Sequence, residues 1–302
     1  MATTMAGARA PGAHRAPETQ DWLNRRVFHP LAHRVARASI PLGLSPNMLS
    51  FIGFLLIVGA ALCYGFLDWP TAFLIGFPLH LLWHVFDGAD GDLARLTGRS
   101  SAIGELVDGV CDYAGHIFLY FLFIFLFQDT MGIWIWVLAA ASGLSRIVQS
   151  NFAESQRRIY LWRVYGVPWL QQNATKVKAD PGLFVRIFGI FVNLYVGLAQ
   201  KGSSSARELD SLLASFPEGS SSQAAARALV RDKERELLPL LKLIGQNSRT
   251  ILLGLSMAAG SPIWFMIAEF TLLNAAFAWA AARERRCSGE LLVKLRALAV
   301  RS

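Results

Sequence analysis

Charge and cysteine are both scarce in this chain. Only 17% of its 302 residues are charged, against 54% hydrophobic, and the mean hydropathy is +0.39. A soluble domain of this length carries more charge, so a soluble globular fold is excluded as the simple reading. The three cysteines, Cys63, Cys111 and Cys287, form no CxxC and no Cys/His metal spacing. That excludes a zinc module or a disulfide scaffold and leaves small apolar packing residues. The first twenty residues lack an apolar core, so no cleavable signal peptide is expected; residues 1–18, rich in Ala, Pro, Gly and Thr, are expected to be disordered. No internal repeat is evident. Acids are fewer than bases, 21 against 29, for a formal net charge of +8. The bases cluster in a few polar segments, the pattern of positive loops beside membrane spans rather than of a nucleic-acid binder.

Long apolar runs supply what charge does not. A span needs about 20 apolar residues. Residues 48–67 qualify, opened by Ser45 as N-cap and Pro46 at the first helical position. Residues 72–86 continue helically into an acidic motif, 103–128 form a third span, and 131–148 a fourth. Residues 249–259 and 263–282 read as a helical hairpin bent at Gly260, Ser261 and Pro262, its first member short and extending back towards Leu237. The fold expected is an all-α integral membrane protein, a bundle of six transmembrane helices.

Six spans orient consistently. The turns near Asp68, Asp129 and Ser261 hold no Lys or Arg, whereas the opposite ends carry Arg25, Arg26, Arg34, Arg37, Arg99, Arg157, Arg158, Arg283, Arg285 and Arg286. The positive-inside rule puts those ends, with both termini, in the cytoplasm. Residues 19–44 are expected to hold an amphipathic interfacial helix, apolar at Trp22, Val27, Phe28, Leu31, Val35 and Ile40 and kinked or broken at Pro30. The remaining division is membrane helices 1–4 within 45–154, a cytoplasmic insertion at 155–248, helices 5–6 within 249–286 and a cytoplasmic tail at 287–302. Within the insertion, 183–199 is apolar but interrupted by Arg186 and Asn193, 202–223 reads as flexible and Ser-rich, and 227–243 as a charged amphipathic helix.

The chemistry is concentrated in one stretch. Asp87, Asp90, Asp108 and Asp112 recur at three- and four-residue spacing on either side of a short polar turn. Helical geometry places i, i+3 and i+4 on one face, so each pair projects together. Carboxylates beside hydrocarbon need a partner, and four converging oxygen donors call for a hard cation such as Mg²⁺, Mn²⁺ or Ca²⁺. Asp92 and Glu105, also in the stretch, point off that face and are expected to meet solvent or an arginine. His80 and His84 lie one turn apart without a carboxylate partner at zinc spacing, so packing or hydrogen bonding is expected of them.

The full pattern, Asp-x2-Asp-Gly-x2-Ala-Arg-x8-Gly-x3-Asp-x3-Asp, resembles the signature of the CDP-alcohol phosphotransferases, membrane enzymes of phospholipid synthesis. Its fixed positions are filled by Asp87, Asp90, Gly91, Ala94, Arg95, Gly104, Asp108 and Asp112. The resemblance implies transfer of a substituted phosphate from a CDP-linked donor to an alcohol acceptor, at least one of them a lipid, with release of CMP. It implies Mg²⁺ or Mn²⁺, two ions, ligated by Asp87, Asp90 and Asp108, with Asp112 as general base that also touches the second metal. Asn47, Gly91, Ala94, Arg95, Ser101 and Gly104 would bind substrate: the small residues give clearance for the nucleotide, and the Arg95 fork suits phosphate. Relatives pair as homodimers, and the site would face the cytoplasm. Ser142, Arg146, Gln149, Ser150 and Glu154 form a polar stripe on the fourth span. Arg146 and Glu154 are candidates for the acceptor pocket, the alternative being charges that snorkel to the interface. Two other readings are a divalent-cation transporter and a non-catalytic scaffold. The first would hold its acids near mid-membrane, and the second would have no use for Asp112.

Overall fold

The computed structural model describes residues 16–167 and 204–300, and every regular element among them is helical. A π-helical segment at Asn24–Phe28 leads into α1 (His29–Ser39). There follow α2 (Pro46–Phe66), α3 (Thr71–Leu96), α4 (Ala102–Met131) and α5 (Ile133–Tyr165). After the undescribed stretch come α6 (Ser204–Ser215), α7 (Ser221–Glu234), α8 (Leu238–Leu243), α9 (Gln246–Ala258), α10 (Ile263–Phe270) and α11 (Leu272–Ala299).

Five stretches are long and apolar enough to cross a membrane: Pro46–Phe66, Thr71–Leu96, Ile103–Met131, Ile133–Tyr165 and Ile263–Ala299. Their outward faces suit lipid, since large apolar side chains such as Leu55, Leu62, Leu74, Phe121, Phe125 and Trp134 are exposed. The sixth expected crossing differs. Backward extension from residue 249 is interrupted at Ile244 and Gly245, so α9 alone is 13 residues, about 20 Å, and falls short of a bilayer core. The fourth span is longer than 131–148, running unbroken as α5 for 33 residues.

Local chemistry sets several boundaries as expected. Ser45 caps α2 by accepting the Met48 N–H at 3.3 Å, with Pro46 in the first turn. Pro30 breaks nothing: the chain is already wound as the wider π-helix up to Phe28, and Pro30 sits in the first turn of α1, where its missing N–H costs no bond. Residues 204–215 form a helix rather than the flexible chain expected over 202–223, and a second helix runs over 221–234. The helix expected over 227–243 is two, parted by a turn at Arg235–Leu237. The apolar segment 183–199 lies outside the described residues, as does nearly all of 1–18.

The chain divides into two compact units. The first is Gln20–Ile147 with Gln246–Asn274. Its core has two parts: Phe28, Ala32, Ala36, Leu49, Val85, Ala89 and Leu93 between α1, α2 and α3, and a larger group around Ala60, Tyr64, Leu119, Phe123, Ile135, Leu253 and Phe265. The second unit comprises described residues within Met1–Thr19, Val148–Gly245 and Ala275–Ser302. Tyr160, Leu209, Leu213, Val230, Leu241, Leu291 and Leu295 lie at its centre.

Candidate metal centre

The acidic stretch folds as a helical hairpin, the end of α3 against the start of α4. The α3 helix ends in a Schellman motif: Arg99 N–H bonds to the Ala94 carbonyl at 2.8 Å and Gly98 N–H to the Arg95 carbonyl at 3.4 Å. Gly98 takes φ +68°, the left-handed value this motif requires and a side chain disfavours. Three residues later Ser101 restarts the helix by accepting the Gly104 N–H at 3.0 Å. This tight reversal brings the Asp87/Asp90 face of one helix against the Asp108/Asp112 face of the next.

Asp87, Asp108 and Asp112 each offer a carboxylate oxygen, and the three oxygens lie within 4.8 Å of one another. Asp90 stands beside them with both oxygens engaged. Ser50 Oγ on α2 donates to Oδ2 at 2.5 Å, and the Gly91 N–H donates to Oδ1 at 2.5 Å. Asp112 Oδ1 accepts from Trp83 Nε1 at 2.7 Å. Two unit charges about 4 Å apart repel by about 4 kcal/mol at an effective dielectric constant of 20. Three such pairs are untenable without positive charge among them. The donor set fits a small hard divalent ion: ligand oxygens around Mg²⁺ stand about 3–4 Å apart, close to the span of this cluster.

The other residues singled out from the sequence fall into two groups. Gly104, Ser101 and Asn47 come together, for a Cβ on Gly104 would stand 3.2 Å from Ser101 Oγ and 3.9 Å from Asn47 Oδ1. The hydroxyl oxygen of Ser101 is used as a cap, and its proton stays free to donate. Arg95 folds back over Gly91, whose Cβ position is 3.3 Å from Nη1, and donates to Asp92 at 2.7 Å. Asp92 is buried in that pairing, with His33 at 3.8 Å, whereas Glu105 is exposed. Ala94 is half-buried on the same face. Of the two histidines, His84 bonds to Thr250 Oγ1 at 2.8 Å and stacks on Phe28; His80 is buried among aromatic rings.

Arg146 and Glu154 sit in different surroundings. Arg146 Nη1 lies 3.8 Å from Glu269, a fully buried carboxylate that also binds Arg249 Nε at 3.0 Å, Ser142 Oγ at 2.6 Å and the Tyr120 hydroxyl. Glu154 belongs to the second unit and is bracketed by Arg157 at 2.7 Å and Arg158 at 2.6 Å, so its charge is already matched.

Sequence reasoning passed over Ser50, Trp83, Glu269 and Arg249. A signal existed for two of them. Trp83 is four residues before Asp87, on the same helical face, and Glu269 is a lone acid inside an apolar run, which marks a buried polar role. Nothing local pointed to Ser50.

Comparison with known proteins gives the following. The family model for CDP-alcohol phosphatidyltransferase matches residues 43–197, just over half of the chain. Choline/ethanolaminephosphotransferase 2 of Arabidopsis thaliana is 34% identical over 129 residues, 39% of this chain and 32% of that protein. Ethanolaminephosphotransferase 1 of Homo sapiens is 26% identical over 165 residues, 49% of this chain and 40% of that protein. The match thus spans about a third to two fifths of the length of these relatives.

Proposed function

The chain belongs to the CDP-alcohol phosphatidyltransferase family, and from that premise we propose that it transfers a substituted phosphate from a CDP-linked donor to an alcohol acceptor. The observation that carries this reading is the convergence of Asp87, Asp108 and Asp112 within 4.8 Å, flanked by Asp90. In the reaction the acceptor oxygen bonds to the phosphorus distal to cytidine. The bridging P–O bond breaks, CMP departs with that oxygen, and the hydroxyl proton goes to Asp112.

Asp87, Asp90 and Asp108, with Asp112 on the second ion, would hold two Mg²⁺ or Mn²⁺. When bound, these ions neutralise the diphosphate and ease departure of CMP. Asp112 is suited to accept the proton because the Trp83 N–H pins one of its oxygens and fixes the carboxylate beside Asp87 and Asp108. Arg95, half-exposed at the end of α3 and steadied by Asp92, offers its fork to a phosphate oxygen. Asn47 and Ser101 present polar atoms on either side of Gly104, where the bare backbone lets the nucleotide approach. Arg146 and Glu154, the acceptor-pocket candidates, are both ion-paired within the protein, Arg146 to Glu269 and Glu154 to two arginines, and an acceptor reaching either would compete with those pairs.

The names of the relatives favour a donor carrying choline or ethanolamine, which makes the acceptor a lipid alcohol. The protein is read as a multi-pass membrane protein. Residues 19–44 lie in the interface, 155–248 are cytoplasmic and the carboxylates face the cytoplasm, where the soluble nucleotide is available. The family resemblance favours a homodimer. The test is CMP release by the purified protein with Mg²⁺ or Mn²⁺ from CDP-choline, CDP-ethanolamine and CDP-diacylglycerol in turn. Release from one donor, lost on chelation, supports the assignment; tight cation binding with no release from any donor overturns it.

A further inference from the structure

On the side of the carboxylates away from the hairpin turn, three polar side chains from three helices meet inside the first unit: Tyr64 of α2, His80 of α3 and His116 of α4. They are 6%, 2% and 5% exposed. Among the described residues the Tyr64 hydroxyl, both ring nitrogens of His80 and Nε2 of His116 have no hydrogen-bond partner. Orphaned buried groups of this kind are rare, because each forfeits its hydration without return. Four in one place call for a ligand.

The geometry says which. His116 Nδ1 lies 2.7 Å from the Asp112 backbone carbonyl. A carbonyl only accepts, so Nδ1 carries the proton and Nε2 presents a bare lone pair. Neutral His80 offers one donor and one acceptor, and the Tyr64 hydroxyl can donate. Ring centroids are 5.7 Å apart for His80 and His116 and 6.3 Å apart for Tyr64 and His80. Two hydrogen bonds of about 2.8 Å meeting near the tetrahedral angle hold water-bridged polar atoms about 4.5–5 Å apart, a gap that the edges of neighbouring rings can present. One water accepting from the His80 N–H and donating to His116 Nε2, and a second accepting from Tyr64 and donating to the other His80 nitrogen, would satisfy all four atoms. Gly76 admits the Tyr64 ring against α3, since a Cβ there would stand 2.6 Å from it.

The same rings hold Trp83. Its indole meets His116 edge-on at 4.7 Å and His80 at 5.6 Å while donating to Asp112 Oδ1. We propose that Tyr64, His80 and His116 form a binding site for two internal water molecules, and that this hydrated cluster is a positioning element which fixes Trp83 and, through it, the Asp112 carboxylate. The catalytic consequence rests on Asp112 as the base; the water site does not.

Radiolytic hydroxyl labelling in ¹⁸O water, read by mass spectrometry, tests the site in the full chain reconstituted in nanodiscs. Bound water beside a buried ring makes that ring a target. Tyr64 is expected to be labelled well above Tyr120, which is comparably buried but bonded to Glu269 and Ser142. Equal, low labelling of the two tyrosines overturns the proposal. Tyr64→Phe gives an independent sign: with water present, losing its ligand lowers the melting temperature, whereas in a dry chamber deleting an unpartnered hydroxyl raises it. For the positioning role, His80→Phe should lower kcat several-fold with KM for the CDP donor unchanged, and His80→Gln, which keeps a donor and an acceptor, should recover most of it. A fall in KM and kcat together, or no rescue by Gln, overturns that role. If the wild type turns over no donor, the functional reading fails while the labelling result stands.

Discussion

Ser50→Ala isolates how the protein holds one of its carboxylates. Ser50 and Asp90 are both 5% exposed, and the hydroxyl donates to Oδ2 at 2.5 Å while Gly91 N–H holds Oδ1. A hydrogen bond to a charged acceptor contributes about 1.5–3 kcal/mol, and outer partners of metal ligands typically govern affinity by about 10–100-fold. Two effects oppose each other on deletion. The carboxylate becomes freer to rotate away from Asp108, and it becomes slightly more basic, which favours a cation. Orientation should win, because the remaining Gly91 bond leaves a pivot about Oδ1. The Mn²⁺ concentration for half-maximal CMP release should therefore rise about 10–100-fold, with kcat at saturating Mn²⁺ changed by less than about threefold. Ser50→Thr, which keeps the hydroxyl, should restore the wild-type value. Manganese titration followed by electron paramagnetic resonance measures the affinity without turnover. An unchanged half-saturation in Ser50→Ala would refute the reasoning that Asp90 is a ligand oriented from α2.

Asp112→Asn should keep CDP-donor binding while lowering turnover by about 10²–10⁴-fold, the usual worth of a positioned base; wild-type turnover would remove Asp112 from that role. Chelation by EDTA should abolish CMP release, and Mg²⁺ or Mn²⁺ should return it. Glu269→Gln leaves the Arg249 and Arg146 guanidinium groups without their counter-charge, so it should destabilise the protein by about 3–5 kcal/mol, read as a lowered melting temperature in detergent. In the second unit, partial burial pushes the Glu18 carboxyl up, but hydrogen bonds from Tyr165 and Tyr160 and the charge of Arg231 outweigh it and hold the group below its ordinary 4.5. Its stabilisation is therefore fully present above about pH 4.5 and is lost as pH falls below that value. Glu18→Gln should lower the melting temperature at pH 7 and remove part of the acid dependence below pH 4.5; an acid limb identical to wild type would count against the assignment.

The readings that held were those decided by neighbours in sequence. Ser45 with Pro46, and the four aspartates at i+3 and i+4, act within one or two helical turns, so spacing alone predicts their geometry. The readings that changed turned on context. Residues 204–215 look like flexible chain by their serines, yet Leu209 and Leu213 are buried and give that helix an apolar side to pack. The hairpin expected at 249–282 rested on counting apolar residues, and α9 comes out short because Ile244 and Gly245 part it from α8. The lone acid Glu269 was legible in principle, but its partners come from α4, α5 and α9 and could not be named in advance.

By itself, then, the sequence determined an all-helical membrane chain with two pairs of carboxylates aimed to one side of a helical turn, since hydrophobic run length and helical periodicity are properties of contiguous residues. Which side chains hold those carboxylates was decided only by tertiary structure. Ser50 reaches Asp90 across 40 residues and Trp83 reaches Asp112 across 29. The rotation and depth at which α2, α3 and α4 pack select those donors, and that packing depends on the summed fit of many side chains rather than on any local pattern.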